Sequence, residues 1–436
     1  MNVSVRTDRR LILSSGPSQR HVLVRITAPE APRTRERAPI HVAFVLDRSG
    51  SMAGPKLRLA ATALERALGL LDDRDRFSVV IYDNEVEVLH PSTEAIAEAR
   101  REAIRRVRAV ESRGCTNLCG GWLRGAEQVA AHLTQNGTGL CLLLTDGLAN
   151  EGVTDPDVLR DHARELRRRG VATTTFGVGA DFDETLLQAL AREGGGNFYF
   201  LERPEQIPDL LASELGEVIE TVARDVAIRA RIPAKTGVEF HTRLSVAEDG
   251  ETSDRGFLES MVTGADGADL RLRVGDLTSG QELDVLLTLA FGTDEAGRRL
   301  VAAFSVEDRD GVIAGPPQTL TWEYAGGEAV DAEARDRALE RLVSEMLAAR
   351  ARERAVELNR VGNYRQASAM MAQLADSIVA DAGDDPGLRS IASDLRAESA
   401  PFAAPMDSTE LKRRHYLSHV TRSRRAPDGK ARKGDA

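Results

Sequence analysis

The chain has 436 residues, and its 58 basic and 68 acidic side chains give a formal net charge of −10. This length exceeds one average domain and predicts two or three, each large enough to bury its own core. The apolar fraction of 42% and the charged fraction of 29% exclude a largely disordered chain. Nucleic-acid binding needs a basic face, so we expect no nucleic-acid partner for this acidic chain.

The sequence also indicates where the protein works. No apolar run approaches the roughly 20 residues that a membrane-crossing helix needs, so we expect no membrane span. The N-terminal segment MNVSVRTDRRLIL places arginines where a signal peptide has its apolar core. The spacing of Cys115, Cys119 and Cys141 does not form the disulfide framework of a small secreted domain. Together these features predict a cytoplasmic protein.

Buried strands alternate with amphipathic helices over residues 40–223. The first strand, IHVAFVLD, is continuously apolar, as strands covered on both faces of a parallel sheet are. The segment KLRLAATALERALGLL follows it with helical spacing of leucines, and FSVVIYD, LCLLLTD and ATTTFGVG continue the alternation. The pattern predicts a doubly wound α/β domain of the Rossmann-like kind. Ligands in such sheets bind at the carboxyl ends of the strands, where the strand order reverses.

The flanking segments follow other patterns. Residues 224–327 contain short alternating segments that predict an antiparallel β-sandwich, which two strands in residues 1–39 would complete around an inserted α/β domain. Residues 328–400 predict a helical hairpin that resembles one tetratricopeptide unit and must pack on another surface. Residues 401–436 are rich in Lys and Arg and predict a basic, disordered tail; an arm that binds an acidic surface is the alternative.

Oxygen-bearing side chains gather at the predicted strand ends. The turn DRSGS directly follows the first buried strand, the loop SRGCTNL precedes a helix, and TDG ends the strand LCLLLTD. Such ligands select hard cations, namely Mg²⁺, Mn²⁺ or Ca²⁺. Since few of them are carboxylates, the ion would stay under-neutralised and recruit an anionic oxygen from outside. The side chains that we expect at this metal site are Asp47, Ser49, Ser51, Thr116 and Asp146.

The same segments resemble a von Willebrand factor A (VWA) domain over residues 40–223. The resemblance rests on VAFVLDRSGSMAGPKL, DRFSVVIYD, GCTNLCGGWLRG, LLLTDGLAN and TTTFGVGADFDETLLQALAREGGGNFYFLE. It is greatest to bacterial VWA proteins, inter-α-trypsin inhibitor heavy chains and plant VWA-containing ubiquitin ligases. The resemblance implies a metal-ion-dependent adhesion site (MIDAS). Ser49, Ser51 and Thr116 would then ligate the metal directly, and Asp47 and Asp146 directly or through water.

These observations favour a non-enzymatic, metal-dependent protein-binding or scaffold protein. The metal would take an Asp or Glu carboxylate from a partner protein, and the family resemblance implies an AAA+ ATPase of the MoxR or chelatase type, or a signalling kinase, as that partner. The alternative is a Mg²⁺-dependent, phosphatase-like hydrolase with Asp47 as the nucleophile. Such enzymes carry an acid–base aspartate two residues later, where this chain has Ser49. The sequence contains no GxSxG elbow, Walker loop or His/Asp triad, so we expect that this protein is not an enzyme.

Two neighbouring features are expected to be structural. Arg48 is predicted to be a solvated side chain on an exposed turn. Cys115 and Cys119 are predicted to be small buried residues that flank the Thr116 loop, since their spacing is not CxxC and no histidine lies near them in the sequence.

Overall fold

The computed structural model describes residues 2–31, 37–134, 137–242, 244–248, 260–313 and 315–434. The chain folds into two compact units. The first unit contains residues 1–32, 220–407 and 414–436, and the second contains residues 33–219 and 408–413. The α/β segment therefore interrupts the first unit in sequence.

The strands and helices are numbered in chain order. The strands are β1 (Asn2–Thr7), β2 (Leu11–Leu13), β3 (Ser18–Thr27), β4 (Ile40–Asp47), β5 (Arg76–Tyr82), β6 (Val86–Glu94), β7 (Thr138–Thr145), β8 (Val171–Val178), β9 (Gly195–Leu201), β10 (Thr221–Ile232), β11 (Gly237–Phe240), β12 (Ser245–Glu248), β13 (Ser260–Val262), β14 (Ala268–Thr278), β15 (Glu282–Phe291), β16 (Arg299–Glu307) and β17 (Gln318–Ala325). The helices are α1 (Pro55–Leu68), α2 (Ala97–Arg108), α3 (Leu118–Ala130), α4 (Pro156–Arg168), α5 (Glu184–Gly194), α6 (Ile207–Ile219), α7 (Gly327–Ala332), α8 (Arg337–Arg360), α9 (Tyr364–Ala382), α10 (Pro386–Ser399) and α11 (Ser408–Arg422). Short 3-10 helices span Gly50–Met52, Pro204–Gln206 and Ala400–Ala403. None of the described helices is long and apolar enough to cross a membrane.

The second unit is built on one six-stranded sheet with the order β6-β5-β4-β7-β8-β9. Only the β5–β6 pair is antiparallel, and all other neighbours are parallel. This is the doubly wound order, in which strands are added first on one side of β4 and then, from β7 onward, on its other side. The prediction of a Rossmann-like α/β domain is confirmed.

Close packing of helix α3 fixes the central strands of this sheet. All eight residues of β4 are buried, as expected for a strand covered on both faces. A side chain at Gly121 would clash with the Tyr82 ring, and one at Gly125 would clash with Val45. Glycine at these two helical positions therefore lets α3 approach the ends of β4 and β5, next to the loops that carry the candidate site.

The first unit contains two largely antiparallel sheets that share one apolar core. Their orders are β1-β3-β15-β11-β13 and β12-β14-β10-β16-β17-β2, and only the β17–β2 pair is parallel. The N-terminal strands thus belong to both sheets. The core contains Val24 and Val285 from the first sheet and Ile228, Phe304 and Trp322 from the second. The predicted antiparallel architecture is confirmed.

The helical segment of the first unit contains more than the predicted hairpin. Helix α8 packs on β3 and β15 through a small apolar cluster that includes Leu23, Leu286 and Val343. Helices α8 and α9 are the predicted pair, but α10 follows and packs on α9. The sequence predicted only the pair, although Asp385 caps α10 by accepting a hydrogen bond from the Leu388 backbone N–H.

The prediction of a disordered tail over residues 401–436 was wrong. Helix α11 occupies Ser408–Arg422. Its basic residues are not simply solvated, because Arg422 is buried and pairs with Glu353 at 2.7 Å. Beyond the helix, Arg424 pairs with Asp284 at 2.6 Å. Composition alone predicts a solvated tail, but acidic partners distant in the sequence neutralise these charges inside the first unit.

Candidate metal site

The candidate site lies at the carboxyl ends of β4 and β7, at the reversal of strand order. Asp47 is the last residue of β4 and Asp146 directly follows β7, and both side chains are fully buried. Ser49 is buried in the turn after β4, whereas Ser51 is exposed in the 3-10 helix that leads to α1. Adjacent parallel strands thus bring together residues almost a hundred positions apart in the chain.

The hydroxyl and carboxylate oxygens of these residues lie within hydrogen-bonding distance of one another. Ser49 Oγ is 3.1 Å from Ser51 Oγ, and the Ser51 hydroxyl donates to Asp146 Oδ1 at 2.6 Å. A methyl group placed on Gly147 would lie 3.2 Å from Thr116 Oγ1 and 3.7 Å from Ser51 Oγ. The Thr116 hydroxyl therefore lies beside the same cluster.

Asp47 has a partner on each carboxylate oxygen. Oδ1 accepts the Ser49 backbone N–H at 2.7 Å, and Oδ2 accepts the Thr145 hydroxyl at 2.6 Å. Burial raises the pKa of Asp47 to about 6, although the hydrogen bonds from Thr145 and Ser49 act to lower it. Burial also raises the pKa of Tyr82, and the nearby Asp47 charge adds to this effect. Because burial outweighs these hydrogen bonds, a nearby cation would stabilise the charged form of Asp47.

The loop that carries Thr116 is tied to its neighbours through backbone groups. The Thr116 backbone N–H donates to Asn150 Oδ1 at 2.9 Å. The Gly50 N–H donates to the Gly114 carbonyl at 3.2 Å, and the Arg113 N–H donates to the Arg48 carbonyl at 2.8 Å. These bonds hold the Ser49–Ser51 turn against the Thr116 loop.

Arg48 is not the solvated side chain that its place in a turn predicts. Its side chain is buried, and Nε donates to Asp83 Oδ2 at 2.9 Å. Arg113 Nε donates to the same oxygen at 2.7 Å. Burial acts to raise the pKa of Asp83, but hydrogen bonds from the Glu85 backbone and Arg113, together with the charge of Arg48, hold it below its ordinary value. Asp83 directly follows β5, as Asp47 ends β4. The similarity of FSVVIYD to IHVAFVLD could therefore have indicated from the sequence that Asp83 lies near the site.

Two more side chains at the site, Thr145 and Lys56, were not identified from the sequence. Thr145 is buried at the end of β7, and besides its bond to Asp47 it accepts the Gly147 N–H at 3.2 Å. Lys56, in the first turn of α1, forms an ion pair with Asp146 Oδ2. Thr145 stands beside the aspartate in TDG, but nothing in the linear sequence indicates that Lys56 faces a residue 90 positions away.

The three cysteines lie in different environments. All three are free; Cys119 and Cys141 are buried, while Cys115 is exposed, contrary to the expectation of burial. Burial raises the pKa of the Cys141 thiol to about 12, which keeps it protonated. Among the residues that the structure describes, no three Asp, Glu, His or Cys side chains form a metal-binding group.

The oxygen set of the site fits a hard divalent cation. Two buried carboxylates and three hydroxyls come from three separate loops. Mg²⁺, Mn²⁺ and Ca²⁺ prefer oxygen ligands of this kind. With only two carboxylates in the set, the charge of a bound ion would not be over-compensated, and it could accept one further anionic ligand.

Comparison with known proteins identifies the class of domain. Residues 41–213 match the family model of the von Willebrand factor type A domain, so this chain contains a VWA domain. Domains of this family typically mediate protein–protein interactions.

Curated relatives match this part of the chain. An uncharacterized protein of Escherichia coli K12, YfbK, is 27% identical over 212 residues, which cover 48% of this chain and 36% of that protein. Human inter-alpha-trypsin inhibitor heavy chain H4 is 30% identical over 203 residues, which cover 45% of this chain and 22% of that protein. The match thus spans about a third of the length of YfbK and less than a quarter of the length of heavy chain H4.

Solved structures share the fold over almost the whole chain. A von Willebrand factor type A protein from Catenulispora acidiphila superposes with a TM-score of 0.68 at 16% identity, over 100% of this chain and 97% of that one. The ArnB paralog VWA2 from Sulfolobus acidocaldarius gives a TM-score of 0.54 at 16% identity, over 99% of both chains. At this identity the likeness concerns the fold alone.

Proposed function

We propose that the site binds a divalent cation, Mg²⁺ or else Mn²⁺ or Ca²⁺, and that the cation takes a carboxylate from a partner protein. The observation that carries this proposal is the hydroxyl–carboxylate cluster at the β4–β7 reversal, where Ser51 Oγ lies 2.6 Å from Asp146 and 3.1 Å from Ser49 Oγ. Asp47 and Thr116 complete the proposed ligand set. The family match over residues 41–213 supports a role in protein interaction.

Each group has a distinct role in this proposal. The hydroxyls of Ser49, Ser51 and Thr116 would hold the ion directly, and Asp47 and Asp146 would ligate it directly or through water. The ion supplies a positive charge for an Asp or Glu side chain of the partner, and the surrounding loops supply shape. Since Ser49 stands where a phosphatase of the dehalogenase type has its acid–base aspartate, we propose a non-enzymatic binding or scaffold protein.

The partner class and location are part of the proposal. An AAA+ ATPase of the MoxR or chelatase type, or a signalling kinase, fits the family resemblance. We place the protein in the cytoplasm, where three free thiols remain reduced.

Affinity capture from native lysate of the source organism tests the proposal. The full chain is immobilised and incubated with Mg²⁺ or with EDTA, as wild type and as Thr116→Ala. The expected result is a partner retained by the wild type only with Mg²⁺ and lost in the variant. Thr116→Ser keeps the hydroxyl and is the matched control that should retain the partner. Retention that is indifferent to EDTA and to Thr116→Ala would contradict the proposal.

A further inference from the structure

Lys56 places a positive charge of the chain itself against the candidate metal site. It lies in the first turn of α1, directly after Pro55. Its ammonium contacts Asp146 Oδ2 and donates to the Ser51 backbone carbonyl at 3.2 Å. The Lys56 side chain is 24% exposed, whereas Asp146 is fully buried. The ammonium therefore reaches from solvent onto an inner carboxylate.

Asp146 divides its two oxygens between different partners. Oδ1 accepts the Ser51 hydroxyl at 2.6 Å, and Oδ2 is held by the Lys56 ammonium. A cation that approaches this carboxylate therefore meets a positive charge already bound to it. Because like charges repel more strongly where water is scarce, Lys56 opposes the binding of the ion.

The same charge changes what a loaded site would attract. Asp47 and Asp146 together carry two negative charges, which balance a divalent ion and do not leave it under-neutralised, as the ligand types alone had suggested. With the Lys56 ammonium beside them, the loaded site keeps one surplus positive charge. The nearby guanidinium of Arg48 does not add to this surplus, because it is paired with Asp83 at 2.9 Å. A surplus positive charge in a partly dry site favours an anionic ligand over a neutral one.

We propose that Lys56 is a specificity-determining residue of the metal site: it lowers the affinity for the divalent ion and makes the ion-loaded site select a carboxylate. The inference rests on the proposed function, since it requires that a divalent ion binds there. It concerns a side chain outside the expected ligand set, so its test can fail while metal binding itself stands.

The first test is a Mn²⁺ titration of the full chain, followed by electron paramagnetic resonance of the free ion. Lys56→Gln should bind Mn²⁺ about tenfold more tightly than wild type, because a charge within a few ångströms of the ion is removed. Lys56→Arg keeps the charge and should stay within about threefold of wild type. Arg58→Gln removes an exposed cation two residues further along α1 and is the matched control, with an expected change of less than about twofold.

The second test measures selection of an anion, with acetate as the probe. Replacing chloride by acetate at constant ionic strength should strengthen Mn²⁺ binding by the wild type and by Lys56→Arg, and clearly less by Lys56→Gln. A Lys56→Gln variant with wild-type Mn²⁺ affinity, or with an undiminished acetate effect, would overturn the inference. Thermal melts in EDTA confirm that each variant is folded.

The outcomes separate the two proposals. If wild type binds Mn²⁺ with an affinity that falls in Thr116→Ala, but Lys56→Gln behaves as wild type, only the role of Lys56 fails. If wild type shows no Mn²⁺ binding that depends on Thr116, both the proposed function and the role of Lys56 are overturned.

Discussion

Each carboxylate of the candidate site is oriented by two partners. Both oxygens of Asp47 accept hydrogen bonds, from the Ser49 backbone and from Thr145. Asp146 is bound in the same way by Ser51 and Lys56. These partners lie in the same unit and fix the orientations of the two carboxylates.

Asp83 supports this arrangement from the next strand. Asp83→Ala should lower the free energy of unfolding by about 3 kcal/mol, because the buried guanidinium of Arg48 loses its main counter-charge. Urea denaturation of the full chain measures the effect. The matched control is Glu87→Gln, which removes the longer, half-exposed ion pair with Arg48 at 3.4 Å and should cost less than about 1 kcal/mol. Equal losses in the two variants would show that Asp83 has no special role.

The expected ligand residues could be found from sequence because they stand at the ends of recognisable strands. A continuous apolar run followed by DRSGS, and a second one followed by TDG, place Asp47 and Asp146 at one edge of a parallel sheet. The supporting residues could not be found in this way. Lys56 and Asp83 act through contacts with Asp146 and Arg48, and those contacts depend on how loops meet in space.

Among the elements, the buried strands were the most predictable. Both faces of β4 and β7 are covered, so almost every residue in them must be apolar. A continuous apolar run of this kind can be recognised in a single sequence. Helices α10 and α11 were not predicted from the sequence, for two different reasons. Helix α10 follows a short break after α9, and α11 is so basic that composition predicts a solvated chain. The structure shows what stabilises it: buried Arg422 pairs with Glu353, and apolar residues such as Val420 are buried.

A histidine pair, with His241 buried and His21 half-buried, links three segments of the first unit. Thr288 Oγ1 on β15 lies 2.7 Å from His21 Nδ1 on β3 and 2.7 Å from His241 Nε2, just after β11. Burial lowers the pKa of His241 to about 3, and the charges of Arg350 and Arg422 contribute. Burial also lowers the pKa of His21.

These pKa shifts predict a loss of stability in acid. Below about pH 6.5 the unfolded chain takes up a proton at His241 that the folded chain refuses until about pH 3. The contribution of neutral His241 to the free energy of unfolding is therefore complete above about pH 6.5 and is lost as the pH falls towards 3. Between about pH 7.5 and pH 5, wild type should lose about 2 kcal/mol more unfolding free energy than His241→Gln. Urea denaturation at both pH values measures the difference, and equal losses would contradict the account.

At the scale of the whole molecule, the first unit is assembled from distant parts of the sequence. Strands from the N-terminal segment pair with strands that follow the α/β insertion, as in the β3–β15 ladder. The C-terminal segment joins them, since the Glu282 N–H donates to the Arg432 carbonyl at 2.8 Å. The sequence indicated such an insertion through similar strand patterns on both sides of residues 40–223, but not the contribution of the tail.

The tail should therefore contribute to stability. Arg422→Gln should lower the free energy of unfolding by about 3 kcal/mol, because it breaks the buried ion pair between Arg422 and Glu353. Lys430→Gln, at a half-exposed position in the same tail, is the control and should change it by less than about 0.5 kcal/mol. Urea denaturation of the full chain measures both. A solvated tail would make the two variants indistinguishable.

The central claim is that the cluster at the β4–β7 reversal holds a divalent ion through hydroxyl and carboxylate oxygens. Mn²⁺ affinity of the purified full chain, compared among wild type, Thr116→Ser and Thr116→Ala, tests it most directly. We expect saturable binding at one site, retained in Thr116→Ser and weakened about tenfold or more in Thr116→Ala, because one direct ligand is lost. Equal Mn²⁺ affinity in Thr116→Ala and wild type would contradict the claim.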